Sequence, residues 1–449
     1  MVLYKLVGFL PILRNTDFKE STLKMRLTEM DKTALAEQKE QWEEKYNSFK
    51  AKGLSLNMAR GKPAPEQLDL SMDMLDILNS KSDLIGEDDI DYRNYGLLSG
   101  IPEAKKLFCK MIGVSQDQIV VCGNASLNIM YDIISTAYAK GICGEKPWCR
   151  YEKVKFLCPV PGYDRHFAIC ESFGIEMINI PTDENGPDMD MVEKLVSEDE
   201  TIKGIWCVPQ YSNPTGIVYS DETVKRFAAL KPKASDFRIF WDNAYCIHHL
   251  VDSPKPVMNI MDECSKNGNE DIVYILGSTS KVTFPGAGVA VLGASRKNLD
   301  YLLKVMGIRT IGYDKINQLR HVRYFGTFEN ILEHMKKHKA IIRPKFDVVL
   351  DMLDKEIDPL GIGTWTKPDG GYFVSFDSLP GCASRIVALC KEAGVTLTGA
   401  GAAFPYKKDS EDKNIRIAPT YPSVDELKTA MEIFCIAVKL ASAEKLMNE

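Results

Sequence analysis

The sequence lacks any run of about 20 consecutive apolar residues, so no membrane-spanning helix is expected. Its apolar opening, Met1 to Leu13, is shorter than a span and has no small-residue cleavage site downstream, and it reads as an arm. Paired cysteine spacing is also missing. None of the 12 cysteines stands in a C-x-x-C pair, which argues for reduced thiols in a cytoplasmic protein and against a disulfide framework. Basic charge is in deficit: 56 Lys and Arg face 62 Asp and Glu, a formal charge of -6 with pI near 5.7. A nucleic-acid partner needs a net basic face, so it is not expected. The first 56 residues carry one amphipathic helical pattern, over Arg26 to Lys52, and no basic pattern, so a DNA-reading helix pair is absent. No internal repeat and no low-complexity linker interrupts the chain.

What is present is the composition of a folded enzyme. The 449 residues are 45% hydrophobic and 26% charged, enough for two or three domains. From Gln118 to Leu292 short apolar runs alternate with helical patterns: Gln118 to Cys122, Lys155 to Cys158, Lys203 to Val208, Arg238 to Trp241, Ile272 to Leu276 and Val289 to Leu292. That alternation predicts an α/β domain with a mainly parallel sheet. After Arg296 the pattern is helical to about Lys355, and the charged run Glu333 to Lys339 reads as a solvated helix face. A smaller α+β unit follows, with strands at Gly371 to Phe376, Val395 to Thr398 and Asn414 to Ala418, a helix near Ser384 to Ala393 and a closing helix from Val424. The expected division is 1–90 for an arm, a helix and part of a small domain, 91–335 for a large domain, and 336–449 for the C-terminal small domain.

Four loops that follow predicted strands hold chemically useful groups. Lys281, in Gly277-Ser278-Thr279-Ser280-Lys281, stands where open α/β sheets place ligands, and burial would make its amine nucleophilic toward an aldehyde. The hydroxyls of Ser278 and Ser280 suit a phosphate. Asp242, in Trp241-Asp242-Asn243-Ala244-Tyr245, ends another run, where a carboxylate would keep a pyridine nitrogen protonated; capping of the next helix is the plainer role. Asn213 lies in the turn sequence Asn213-Pro214-Thr215-Gly216. Cys122-Gly123-Asn124-Ala125-Ser126-Leu127 opens a helix with small residues, which offers free N–H groups to an anion or else an ordinary cap at Asn124. By contrast, Gly286-Ala287-Gly288 lacks the third glycine of a dinucleotide loop, Val291 standing in its place.

Taken in order, Asn213-Pro214-Thr215-Gly216, Asp242-x-x-Tyr245, Ser278-x-Ser280-Lys281 and Arg416 in Asn414-Ile415-Arg416-Ile417-Ala418 resemble the fold-type I aminotransferases. Arg60-Gly61-Lys62-Pro63 and Pro161-Gly162-Tyr163-Asp164-Arg165-His166-Phe167 draw the likeness toward a divergent aspartate aminotransferase subgroup, from about Asn57 to the C-terminus. The resemblance implies an α/β pyridoxal-phosphate-dependent transferase fold, with a large mainly parallel-sheet domain and a smaller α+β domain. It implies pyridoxal 5'-phosphate as cofactor, with Lys281 as its Schiff-base lysine and proton shuttle. Asp242 would pair with the ring nitrogen, Asn213 and Tyr245 with the phenolic oxygen, and Tyr163 would stack on the ring. Gly123, Asn124, Ser126, Ser278 and Ser280 would line the phosphate site, and Tyr95 would reach the phosphate of a neighbouring subunit in a homodimer. Arg416, with Gly61 and Asn213 near it, would clamp the substrate α-carboxylate, a task that suits the bidentate guanidinium.

The implied reaction moves an amino group from an amino acid, aspartate or glutamate, to a 2-oxo acid in two half-reactions. A lyase or decarboxylase on the same cofactor, or a regulator domain without catalysis, are the alternatives. A dicarboxylate substrate needs a second cation, for which Arg60, Lys62 and Arg165 are candidates. Many relatives have an arginine shortly after the cofactor lysine, and Val282 to Val291 contains none. His334 and His338, four apart, read as part of the solvated face and not as a metal pair, and His248-His249 as a loop or core element behind Tyr245. No metal is expected.

Overall fold

The computed structural model describes residues 26–449 except Asp88; the arm expected at Met1 to Leu13 lies outside the described residues. Thirteen strands form three sheets: β1 (Leu56–Asn57), β2 (Ile119–Val121), β3 (Lys155–Val160), β4 (Glu176–Asp183), β5 (Gly186–Pro187), β6 (Ile202–Cys207), β7 (Arg238–Asp242), β8 (Val273–Ser278), β9 (Ala290–Ala294), β10 (Gly363–Trp365), β11 (Val374–Ser378), β12 (Val395–Thr396) and β13 (Asn414–Ile417). The large sheet has the order β2-β9-β8-β7-β6-β3-β4-β5. Strands β8, β7, β6, β3 and β4 run parallel, while β9 is antiparallel to both of its neighbours. Strands β6, β7 and β8 are buried at every position, as expected for a sheet covered on both faces.

Two apolar layers explain that burial. On one face Leu157, Ile205, Ile239 and Ile275 pack under Phe108, Phe227 and Met261; on the other Phe156, Trp206, Phe240 and Tyr274 pack under Ile133, Phe167 and Leu302. Side chains at successive strand positions go to opposite faces, which is why neighbours in the sequence fall into different layers.

A third core belongs to the antiparallel sheet β10-β11-β13 and the helix Val424–Asn448, and it takes in Leu27, Leu35, Tyr46 and Phe49 from the N-terminal segment. The amphipathic pattern after Arg26 becomes the helix Lys32–Lys50, capped by the Asp31 carboxylate on the N–H groups of Thr33 and Ala34. Tyr46 fixes it to this core by donating to the Leu389 carbonyl at 2.9 Å. The helix Phe328–Glu356 joins the units, with Ile331 and Met335 in a large-sheet layer and Phe346, Val349 and Leu353 in the third core.

Strand β4 has no counterpart among the sequence-predicted runs. Glu176-Met177-Ile178-Asn179-Ile180-Pro181 is broken by Asn and Pro, and Pro181 is tolerated because β5 covers the neighbouring edge only beyond it, at Thr182 and Asp183.

Candidate active site

Parallel strands deliver their C-terminal ends to one edge, and four of the loops identified from the sequence leave from there. Asp242 is the last residue of β7, Lys281 follows β8 by three positions, Asn213 lies in the loop after β6, and Tyr163 in the loop after β3. Strand β2, antiparallel to β9, runs with β8 and sends Gly123 to Ser126 to the same edge. A cavity of about 210 Å³ results, lined by Ser126, Tyr163, Asn213, Asp242, Tyr245, Ser278, Ser280 and Lys281 among others.

The floor of this cavity is electrostatically unfinished. Asp242 is buried, and its Oδ2 lies 3.0 Å from Nε2 of His166, whose ring stacks on Trp206 at 4.5 Å. Its Oδ1 is buried with no partner among the described residues. A carboxylate oxygen left so is costly unless an incoming donor meets it. The Lys281 amine lies 5.0 Å from the Tyr245 ring and 6.0 Å from that of Tyr372. Burial pushes the Lys281 amine below the ordinary lysine range, against the opposing pull of the Asp242 charge. Burial, with the Asp242 charge behind it, pushes the Tyr163 phenol up to about 12, and it also raises Tyr245, so both remain neutral hydrogen-bond donors near neutral pH.

Arg416 stands on β13 beside this cavity, opposite Ser375 of β11. Its Nη1 donates to Asp164 at 3.0 Å and to Oδ1 of Asn213 at 3.2 Å, its Nη2 donates to Thr398 at 3.3 Å, and its Nε has no partner among the described residues. The guanidinium lies over the Phe373 ring at 4.9 Å. Gly61 rests against the same ring, where a Cβ would come within 2.4 Å, so no larger residue fits without displacing Phe373. The Asn213 carbonyl is thus engaged by Arg416, which leaves its amide nitrogen for another acceptor.

At the opposite end Ser278 donates to Ser280 at 3.1 Å, and Ser280 to the Asn124 carbonyl at 3.2 Å. The helix Ser126–Lys140 begins after Ala125, not at a side-chain cap on Asn124; the Asn124 amide turns instead to the Pro285 carbonyl at 3.2 Å. The first N–H groups of that helix therefore carry no side-chain acceptor, the condition for binding an anion. Gly123 sits 3.8 Å, measured from an ideal Cβ, from the Tyr313 ring. Tyr95 is not drawn into this cavity and is 79% exposed.

Three residues with direct contacts here had no role assigned from the sequence: His166 on Asp242, Asp164 on Arg416, and Thr398 between Arg416 and the Ala59 carbonyl. His166 and Asp164 fall inside a motif that was recognised, and their spacing from Tyr163 was the available signal.

The solvated-face expectation fails for His334 and His338, which are buried with exposures of 5% and 1%. Residues four apart share one helix face, and here it is the inward one, while Lys336 and Lys337 between them are exposed. Burial pushes His338 down to about 4, and His321, also buried, to about 4. Both stay neutral in the fold while the unfolded chain takes up protons near the ordinary 6.5, so below that pH the unfolded state binds more protons. Their contribution is intact above pH 6.5 and is lost progressively toward pH 4. Thermal melting across this range is expected to show a falling Tm, with a shallower fall in H321N.

The family profile described as aspartate amino-transferase matches residues 30–449. An aspartate aminotransferase of Corynebacterium glutamicum is 45% identical over 405 residues, 90% of this chain and 93% of that protein. The crystal structure of an aspartate transaminase from C. glutamicum superimposes with a TM-score of 0.92 at 44% identity, covering 94% of this chain and 100% of that one. An α-aminoadipate aminotransferase from Thermus thermophilus, 20% identical, shares the fold with a TM-score of 0.71 over 88% of this chain and 94% of its own. The chain belongs to the aspartate aminotransferase family and is a pyridoxal-phosphate-dependent aminotransferase of fold type I.

Proposed function

We propose that this aminotransferase exchanges the amino group of L-aspartate or L-glutamate with 2-oxoglutarate or oxaloacetate, and that the residues around the 210 Å³ cavity carry the reaction. The observation that carries the reading is the convergence around one cavity of a buried amine, an unpartnered carboxylate oxygen and a guanidinium fork. These groups fit pyridoxal phosphate: Oδ1 of Asp242 for the ring N–H, Lys281 for the aldehyde, and the uncapped helix at Ser126 with Ser278 and Ser280 for the phosphate.

When bound, the cofactor supplies an electron sink for the pair left on the substrate α-carbon. Lys281 holds the cofactor and then moves the proton at that carbon, a task suited to an amine whose pKa burial has lowered toward the working pH. Asp242, oriented by His166, holds the ring nitrogen in its protonated form. Asn213 and Tyr245 donate to the ring oxygen, and Tyr163 covers one ring face. Arg416 receives the α-carboxylate, which takes the place now held by Asp164 on Nη1.

For the distal carboxylate the candidate taken first is Arg60. Arg60, Lys62 and Arg165 are all exposed, but Lys62 lies over the Tyr421 ring at 3.8 Å and Arg165 stands on the first turn of the helix Asp164–Ser172. Arg60 precedes Gly61 on the loop held to Arg416 through Ala59 and Thr398, and among the described residues it has no carboxylate partner. Purified enzyme given aspartate and 2-oxoglutarate is expected to form oxaloacetate and glutamate; absence of both with the cofactor bound overturns the substrate reading. Arg60→Gln is expected to raise KM for both dicarboxylates about 10-fold or more, a loss on the scale of a charge-assisted contact, with less effect on alanine and pyruvate.

A second copy of the chain completes the proposal. Tyr95, Ile308 and Ile311 are exposed by 79%, 76% and 60%; Ile308 is in the last turn of the helix Arg296–Arg309, Ile311 follows it, and Lys315 beyond them donates to the Gly96 carbonyl beside Tyr95 at 3.2 Å. Exposed large apolar side chains grouped this way mark an interface. Sedimentation is expected to give a dimer, and Tyr95→Ala to weaken cofactor retention during dialysis without loss of Lys281 reactivity; a monomer with full activity refutes the shared site. Twelve unpaired cysteines support a reducing compartment, the cytoplasm, and among the described residues no helix is long and apolar enough to cross a membrane.

A further inference from the structure

The turn that carries Lys281 is anchored from behind by a polar chain that the reaction as described does not use. Val282 and Thr283 donate their N–H groups to the Thr279 carbonyl, both at 2.9 Å, closing the turn. The Val282 carbonyl receives Nε2 of His334 at 2.9 Å and Nε2 of His338 at 3.0 Å. The two Nε2 atoms are only 3.2 Å apart, so with both facing one acceptor each carries its proton there. Nδ1 of His338 is then a bare acceptor, and Nε2 of Gln67 donates to it at 3.1 Å. The second amide hydrogen of Gln67 goes to the Tyr372 hydroxyl at 2.9 Å, and its carbonyl accepts from the Ala64 N–H at 3.1 Å.

Every hydrogen-bonding position of Gln67 is thereby assigned except one lone pair, and the side chain has no measurable exposure. The chain approaches Lys281 at two points, the carbonyl of the next residue, Val282, and the Tyr372 ring, whose centre lies 6.0 Å from the lysine amine. Its other end is the helix Pro65–Asp69, which begins four residues after the Gly61 that packs on Phe373 under Arg416. One buried network therefore runs from the helix that follows the Gly61 segment to the carbonyl of the residue after the lysine.

We propose that Gln67 and His338 are positioning residues for Lys281: they fix the Val282 carbonyl and the Tyr372 ring, and so the direction from which the Lys281 amine reaches the cofactor and the substrate α-carbon. The proposal rests on Lys281 being the residue that attaches the cofactor. Borohydride reduction and peptide mapping test that separately, because a pyridoxyl group on another lysine refutes the assignment itself.

The experiment compares wild-type holoenzyme with Gln67→Leu, His338→Phe and His338→Gln. The glutamine at 338 keeps an N–H at the reach of the imidazole Nε2. Two readouts are taken: the midpoint of the pH titration of the bound cofactor's absorbance, and kcat and KM separately. The expected result is a titration midpoint moved by half a unit or more in Gln67→Leu and His338→Phe. Their kcat should fall about 10-fold with KM within threefold, the pattern of a misplaced catalytic group, and His338→Gln should recover most of both. Midpoints and kcat within twofold of wild type in Gln67→Leu overturn the proposal, whether or not His338→Phe folds. So does a loss of melting temperature shared equally by His338→Phe and His338→Gln with no movement of the midpoint, which would mark a packing role.

Discussion

Lys281→Ala is expected to lower transamination roughly 10³-fold or more while leaving the fold as stable as before. Two separate losses combine in that figure. On the proposed assignment the cofactor loses the amine that attaches it, and the substrate α-carbon loses its proton carrier, a contribution of about 10²- to 10⁴-fold by itself. Stability should not fall, because among the described residues the Lys281 amine makes no ion pair, and burial already disfavours its charged form. The measurement is single-turnover formation of glutamate from 2-oxoglutarate beside a thermal melt. Lys281→Arg sharpens the test: it keeps a cation but cannot lose its proton at working pH, so it should be as inactive as alanine and less stable. Retention of even a tenth of wild-type activity in either variant would remove Lys281 from the reaction.

The parts of this site that were legible in the sequence share one physical origin. Continuous apolar runs mark strands buried on both faces, and the residue just past such a run lies at the sheet edge where parallel strands end together. Asp242, Asn213, Tyr163, Ser278 and Lys281 all lie within five residues of the end of such a run, so strand order was not needed to gather them. Arg416 is different: it comes from the smaller sheet, and its run, Asn414–Ile417, says nothing about which cavity it faces. Only the family likeness joined it to the others.

What stayed hidden depends on facing across elements. Gln67, His334 and His338 sit in polar or charge-rich stretches where hydropathy predicts solvent, yet a buried backbone carbonyl at Val282 required donors and the helix Phe328–Glu356 supplies them. A histidine four residues from another on an amphipathic helix is on the same face, but the sequence does not say whether that face is wet. The same holds for Asp164: its pairing with Arg416 depends on β13 and the helix Asp164–Ser172 meeting across the cleft.

Asp242→Asn is expected to cost roughly 10²- to 10³-fold in transamination, the scale for removing one preorganised electrostatic group, and to do so almost wholly in kcat. The amide has the shape of the carboxylate, so His166 and the stack on Trp206 remain in place. On the proposed assignment, what disappears is the charge that would hold the ring nitrogen protonated, and with it the strength of the electron sink. The same charge pulls the Lys281 amine upward, so in Asp242→Asn that amine should become still easier to deprotonate. An amine that is more fully deprotonated while the rate collapses separates the sink from the proton transfer. Titrating the reactivity of Lys281 toward an aldehyde in the cofactor-free variant reads the first effect, and transamination reads the second. His166→Phe should lose less, about 10-fold, because it acts only by orienting Asp242, and added to Asp242→Asn it should cost little more. Full additivity of the two substitutions would mean that His166 works through something other than the carboxylate it touches.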